Sequence, residues 1–276
     1  MDFKRIQILL LVFFLIFDAY LVYILYSRAA EARPVDTAIE YTFEEELKNR
    51  GITFQNLSKD KVSLPLIKAD PMPDLTEAIA KLEEQEAMID DKSRIVSTFD
   101  VPIDLTVKIT NQTQNINAAD AKKILEDTIK NPKHFVLGDQ YHFYRYSSIE
   151  RAIYFRMNAF KNYKIVDGTA EIKLVLNDQF QVTNYIQSYQ KGIKELDTQV
   201  TTISERDALQ VVDGRIETFI PNNSKINSTR LSYYRMNNLE NFSVYSPVWE
   251  IVYTQPDGTM RLIYVEATRG TILSPG

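Results

Sequence analysis

The amino-acid sequence predicts an α+β protein, in which one N-terminal transmembrane helix precedes two duplicated units, each a helix with an antiparallel sheet. Three observations predict this fold class. Residues 6–26 form an apolar run, residues 99–110 alternate between apolar and polar side chains, and a segment near the middle of the chain matches one near its end. Helices and strands in separate stretches of sequence are typical of α+β architectures.

The first element is the apolar run at residues 6–26, which contains one charged residue, Asp18. As an α-helix it would be about 32 Å long, enough to cross a hydrocarbon core of roughly 30 Å. A cleaved signal peptide is the alternative, because Ala30-Glu31-Ala32 resembles a cleavage site, but its apolar part would be only about 7–15 residues long. The sequence favours a retained anchor, with residues 1–28 as cytoplasmic start and transmembrane helix and residues 29–40 as a juxtamembrane linker.

Asp18 is the unusual residue of this helix. It lies near the middle of the run, where a carboxylate costs roughly 2.5–3.5 kcal/mol on insertion scales. Such residues usually face a partner or a polar cavity; the alternative is a protonated carboxyl that the helix tolerates. Residues three, four or seven positions away share its face. The predicted partner-binding face therefore consists of Phe14, Leu15, Asp18, Leu21, Val22 and Leu25.

The flanking charges give the orientation of the helix only a small bias. Lys4 and Arg5 precede it, and Arg28 and Arg33 follow it, so the positive-inside count is nearly even. The chain has no cysteine, which is compatible with an extracytoplasmic domain that does not depend on disulfides. We expect a single-pass protein of the cell membrane with a cytoplasmic N-terminus and an extracytoplasmic domain at 41–276.

Composition and motifs argue against most chemistries. The net charge is −5 without any basic block, so nucleic-acid binding has no electrostatic footprint. The only histidines are His134 and His142, whereas a zinc site needs three or four ligands. Neither a Gly-rich phosphate loop nor a G-x-S-x-G elbow occurs. The sequence predicts no catalytic residue, no metal and no cofactor.

Local signals then place the elements in order. The capping-box pattern Thr42-Phe43-Glu44-Glu45 begins a short helix, and Gly51 is placed to end it. Strands are predicted at 52–54 and 62–67. The second is expected at a sheet edge, because Pro65 has no amide hydrogen to donate.

Two longer elements follow. Asp74-Leu75-Thr76-Glu77 opens a helix that is predicted to run to about Ile89. At 99–110, apolar residues alternate with polar ones, which predicts a half-buried strand.

The second half of the chain is predicted to repeat itself. Residues 154–163 match residues 233–242 at five of ten positions without a gap. On this alignment Met157 and Met236 should be equivalent, in equivalent strands. Chance similarity between two amphipathic strands is the alternative.

Each predicted repeat reads as a helix followed by about three antiparallel strands. Helix caps at Asn117 and Ser204 begin the two units, which are expected at about 117–200 and 204–276. The first helix should reach about Ile129 and the second about Thr218. The second unit contains an explicit hairpin at 248–267, with its turn at Pro256-Asp257-Gly258.

The chain resembles the YycI family. The resemblance rests on the start Met1-Asp2-Phe3-Lys4-Arg5-Ile6, the single predicted membrane helix and the closing segments Trp249-Glu250-Ile251, Asp257-Gly258 and Tyr264-Val265-Glu266-Ala267-Thr268-Arg269-Gly270. It covers essentially the whole chain and implies a YycH/YycI-like ectodomain. The closing segment is also similar to a PepSY-type unit.

The resemblance implies a regulatory, non-enzymatic function. YycI-like proteins belong to the YycFG (WalRK) two-component system, which controls cell-wall metabolism in low-GC Gram-positive bacteria. The expected partners are a sensor histidine kinase of the WalK/YycG type, a YycH-like protein and membrane lipid, with contacts through the transmembrane helix and the ectodomain. A membrane-anchored extracytoplasmic binding protein or enzyme acting on cell-wall material is the alternative.

Overall fold

The computed structural model describes residues 13–15, 17–23, 42–105 and 119–273. The chain divides into two compact units, Met1–Asn49 and Arg50–Gly276. In the first unit, the described residues at 13–15 and 17–23 are helical, and helix α1 spans Phe43–Asn49. The described β-strands all belong to the second unit.

The second unit alternates short helices with strands. Its helices are α2 (Thr76–Ile79), α3 (Ala119–Ile129), a 3₁₀ turn (Gly138–Gln140) and α4 (Glu205–Asp213). Its strands are β1 (Ser63–Ala69), β2 (Gln85–Ile89), β3 (Ile95–Asp104), β4 (Tyr141–Ser147), β5 (Ala152–Phe160), β6 (Tyr163–Lys164), β7 (Glu171–Leu176), β8 (Gln181–Gln187), β9 (Lys194–Thr201), β10 (Lys225–Asn238), β11 (Ser243–Thr254), β12 (Met260–Glu266) and β13 (Thr271–Leu273).

These strands form two antiparallel sheets. Sheet I has the order β13-β12-β11-β1-β9, and β10 also pairs with β11. Sheet II has the order β2-β3-β8-β7-β5-β4, and β6 pairs with β5. The expected mixture of helices with mostly antiparallel sheets is confirmed.

A hydrophobic core joins the two sheets. Tyr233 and Tyr245 of sheet I are fully buried in the same cluster as residues from every long strand of sheet II. Phe135, which follows α3, packs against sheet II: its ring lies 4.8 Å from that of Tyr185, and Phe99 packs against both. Burial of apolar surface contributes about 25 cal/mol per Å², so the shared core holds the sheets as one body.

The predicted helix caps at Thr42 and Ser204 and the predicted hairpin, which involve residues close together in the sequence, are confirmed. Thr42 and Glu45 form the predicted reciprocal cap, with the Thr42 amide 2.8 Å from the Glu45 carboxylate. Ser204 and Asp207 cap α4 in the same way. The predicted hairpin is present as β11 and β12, with Thr254 opposite Met260.

The predicted helix from Asp74 to Ile89 is wrong beyond its first turn. Helix α2 ends at Ile79, and residues 85–89 form β2, which pairs with β3. Asp90 fixes the connecting turn by accepting hydrogen bonds from the amides of Lys92 and Arg94. Pairing with a neighbouring strand has overridden the local helical pattern.

Strand β1 is not at an edge, although it contains Pro65. It lies between β11 and β9, and its register with β9 shifts between Pro65 and Ile67. A bulge of this kind accommodates a residue that cannot donate to the ladder. The strand predicted at 99–110 begins earlier, at Ile95, and its last predicted residues lie outside the described ranges.

The two predicted repeats share a topology but not the predicted alignment. A helix followed by four strands in meander order occurs as α3-β4-β5-β7-β8 and as α4-β10-β11-β12-β13. Met157 therefore lies in the second strand of its meander, whereas Met236 lies in the first. Met157 is buried and Met236 is exposed. The ungapped alignment therefore pairs strands that are not equivalent, because alternating strands resemble one another in sequence. The repeat itself stays a prediction.

Helix α4 is shorter than predicted, because it ends at Asp213 and Gly214 follows it. Within the described part of the chain, no helix is both long and apolar enough to span a membrane. The predicted anchor at 6–26 lies partly outside those residues.

Candidate functional site: a polar groove between the sheets

A groove of about 700 Å³ opens where loops of the two sheets meet. Sheet II contributes the β2–β3 turn at 91–94, the β6–β7 loop at 167–169 and Gln190, which follows β8. Sheet I contributes Arg235 and the β10–β11 hairpin at 238–240. We call this feature the inter-sheet groove.

Buried polar side chains form the floor of the groove. Thr169 Oγ1 donates to Asp167 Oδ1 over 2.7 Å and lies 2.8 Å from the Tyr245 hydroxyl. That hydroxyl donates to Gln190 Oε1 over 3.0 Å, and Gln190 Nε2 donates to the carbonyl of Asp70. Because these residues come from different strands and loops, the network holds the floor in one arrangement.

Asp167 is the most unusual group in the groove. Its side chain is only 4% exposed. Burial raises the pKa of its carboxyl above the ordinary 3.8, although the hydrogen bonds from Thr169 and the charge of Arg235 oppose the change. Asp167 Oδ2 lies 3.7 Å from Arg235 Nε, too far for a hydrogen bond. The Arg235 side chain is 32% exposed.

The β2–β3 turn forms another part of the groove lining. Asp90 accepts a 2.9 Å hydrogen bond from Arg94 Nε and forms an ion pair with the same guanidinium. Burial would raise the pKa of Asp90, but the bonds from Arg94 outweigh it and the pKa is lowered. The turn is thereby fixed, with Asp91 and Lys92 exposed at its tip.

Two glycines permit the backbone geometry around the floor. Gly168 has φ +80 and joins Asp167 to Thr169. Gly192 has φ +63, and a Cβ there would lie 2.0 Å from Asp70 Oδ2. Both positions favour glycine because side chains rarely adopt that conformation.

A second polar feature, the buried charge cluster, also joins the sheets. Arg156 of β5 lies between Glu171 of β7 and Glu250 of β11, with N–O distances of 2.7 and 3.7 Å. Glu250 also pairs with Arg230 of β10 at 2.7 Å and accepts a hydrogen bond from the Tyr144 hydroxyl.

The charges of this cluster compensate one another. The side chains of Arg156 and Glu250 are only 5% and 1% exposed. Burial would lower the pKa of Arg156, but its interactions with Tyr144 and Glu171 outweigh it and the pKa is raised. The Arg156 guanidinium also lies 3.9 Å from the centre of the Tyr144 ring. Two arginines matched by two carboxylates suit a structural role.

The predicted partner-binding face is only partly described. Residues Phe14, Leu15, Asp18, Leu21 and Val22 lie in helical stretches and are exposed, and Leu25 lies outside the described residues. No partner chain is present, so this face stays a prediction.

The groove arises from residues that the sequence reasoning did not single out. The pair Asp167-Gly168 indicates a turn. Arg235 and Gln190 are distant from it in the sequence, so the sequence does not reveal that these residues lie close together in the fold. Among the described residues, no group of three or more potential metal ligands comes together. The carboxyl of Asp167, the guanidinium of Arg235 and the hydrogen-bonded floor of the groove are suited to binding a polar small molecule.

The comparisons identify the family. The model of the YycI protein family matches residues 35–268. No curated protein matches. Among solved structures, an uncharacterized protein from Eubacterium rectale ATCC 33656 is 10% identical, with 81% of this chain and 89% of that chain covered and a TM-score of 0.43. The C-terminal domain of Bacillus megaterium YpeB is 14% identical, with 84% and 96% covered and a TM-score of 0.39. Because the family match spans most of the sequence, the chain belongs to the YycI family.

Proposed function

We propose that this protein is a non-enzymatic, membrane-anchored regulator of a WalK/YycG-type sensor histidine kinase, acting with a YycH-like protein in the control of cell-wall metabolism. The observation that carries the proposal is the family match over residues 35–268. Family membership suggests involvement in the YycFG system. The described residues support a non-catalytic role, because their most buried carboxylate, Glu250, is held by arginine and tyrosine.

The proposed contact with the kinase is the helix face around Asp18. An intramembrane carboxylate is retained most readily where a neighbouring helix supplies a hydrogen-bond donor, although such bonds average only about 0.6 kcal/mol. Asp18→Leu removes the proposed hydrogen bond to the neighbouring helix and leaves the folded unit Arg50–Gly276 unchanged. We therefore expect Asp18→Leu to reduce co-purification of the kinase or the YycH-like protein, and Asp18→Asn to reduce it less.

The matched control is Tyr20→Leu, which removes a polar group about 200° around the helix from Asp18. It should leave co-purification unchanged. Equal recovery of partners with Asp18→Leu and with the unsubstituted chain would show that Asp18 is only tolerated, and that recognition lies in the extracytoplasmic domain.

A second candidate function is ligand binding outside the cell. The inter-sheet groove, with the buried Asp167 beside Arg235, favours a binding protein over a hydrolase. A hydrolase needs an acid and a base that converge on one substrate position. Turnover of cell-wall material by the purified chain, lost in Asp167→Asn, would support the enzyme alternative.

A further inference from the structure

The inter-sheet groove contains a carboxylate oxygen, Asp167 Oδ2, that accepts no hydrogen bond from the other described residues. Asp167 Oδ1 accepts two hydrogen bonds from Thr169, one from its amide and one from its hydroxyl. The cation beside Oδ2, Arg235, is too distant for a hydrogen bond. A carboxylate can accept several hydrogen bonds. Because Asp167 lines the groove and its side chain is otherwise almost fully buried, a ligand in the groove can donate to this oxygen.

The cationic side chain of Arg235 lies beside this acceptor but does not form a hydrogen bond with it. Arg235 Nε is 3.7 Å from Asp167 Oδ2, and the partly exposed Arg235 side chain lines the groove. A guanidinium has five N–H donors arranged for a carboxylate. With respect to the described residues, the pair therefore presents an unfilled acceptor next to unfilled donors, at a separation that one small head group can span.

An ammonium and a carboxylate on the same carbon match this pair. The ammonium can donate to Asp167 Oδ2 while the carboxylate accepts from Arg235, and both bonds are of the strong, charge-assisted kind. A ligand with only one charge would leave the other residue unsatisfied. The network through Thr169, Tyr245 and Gln190 fixes the floor in advance, which lowers the entropic cost of binding.

The outer part of the groove has its own charges. Arg94 is engaged by Asp90, which leaves Asp91, Lys92 and Glu240 at the exposed rim. Two acids against one base favour a basic group on the ligand. The volume of about 700 Å³ lies within the range of small-molecule sites and accommodates a long side chain.

We propose that the inter-sheet groove binds a free α-amino acid with a basic side chain, its ammonium on Asp167, its carboxylate on Arg235 and its side chain directed to the rim acids. The site is independent of any contact with a kinase. It adds a small-molecule ligand to a protein whose family assignment concerns only a two-component system.

The test is isothermal titration of the full-length chain in detergent with L-lysine. Nα-acetyl-L-lysine lacks the α-ammonium but keeps the side-chain ammonium, and L-lysine amide lacks the carboxylate, so each should bind at least about tenfold more weakly. L-Glutamate should also bind more weakly than L-lysine. These comparisons use the unsubstituted protein and do not depend on how any variant folds.

Two variants then assign the contacts. Asp167→Asn should weaken L-lysine binding but hardly change that of the acetylated compound, and Arg235→Gln should weaken L-lysine binding but hardly change that of the amide. Asp197→Asn and Lys81→Gln, on exposed positions elsewhere, are the controls and should bind normally. No binding of L-lysine at about 10 mM, equal binding of the blocked compounds, or tighter binding of L-glutamate would overturn the proposal.

Discussion

Replacement of Arg156 by methionine tests whether the buried charge cluster holds the two sheets together. The substitution keeps much of the side-chain length but removes the cation between Glu171 and Glu250, which would then face each other across the sheet junction. Loss of one partner from a buried ion pair typically costs about 3–5 kcal/mol. That is a large part of a total stability of about 5–15 kcal/mol.

Arg151→Met is the matched control. Arg151 directly precedes β5, the strand that contains Arg156, but its side chain is 59% exposed and pairs with an exposed carboxylate, Asp178. An exposed pair contributes about 0–1 kcal/mol. The contrast between the two arginines therefore isolates burial as the cause.

The assay is urea unfolding of the full chain, followed by the fluorescence of Trp249, the only tryptophan. Trp249 is buried and donates to the carbonyl of Ile203 over 3.0 Å, so its emission reports on sheet I. We expect a loss of about 3 kcal/mol or more for Arg156→Met and less than about 1 kcal/mol for Arg151→Met. Equal losses would refute the idea that the cluster joins the sheets.

Three further predictions concern the buried carboxyl of Asp167, the glycine at position 192 and the predicted membrane anchor. Because burial raises the native pKa of Asp167 above 3.8, the native state binds more protons than the unfolded state in the window above that value, and stability falls as pH rises through it. Asp167→Asn should therefore gain stability relative to the unsubstituted chain as pH rises from about 4 to 7 in urea unfolding; a constant difference would contradict this. Gly192→Ala should lower the unfolding midpoint, because its Cβ would meet Asp70, whereas Gly258→Ala has open space and should cost only its unfavourable φ; equal losses would show that Asp70 moves aside. A reporter active only outside the cytoplasm, fused after Gly276, should be active in cells that retain the uncleaved chain in the membrane, and a released product starting near Arg33 would argue for a signal peptide.

Features that depend on neighbouring residues could be predicted from the sequence. The caps at Thr42 and Ser204 require only a side chain and an amide three residues apart. The hairpin around Asp257-Gly258 requires a turn that Gly258, with φ +84, permits. In each case the physical cause lies within one turn or one pair of strands.

Features set by distant pairing could not be predicted. Residues 85–89 contain good helix formers, yet they form a strand because β3 lies beside them. The groove needs Asp167, Arg235 and Gln190 to meet, and only the order of strands in two sheets brings them together. The repeat alignment was also incorrect, because strands with alternating side chains can be matched in more than one register and only the sheet order shows which strands are equivalent.

The central claim, regulation of a WalK/YycG-type kinase, is tested most directly by the kinase itself. The kinase is reconstituted in proteoliposomes with and without the full-length chain, together with the YycH-like protein, and its autophosphorylation rate is measured. The proposal predicts that the rate changes when the chain is present and that Asp18→Leu diminishes the change while Tyr20→Leu does not. An autophosphorylation rate that is the same with and without the chain would contradict the proposed function.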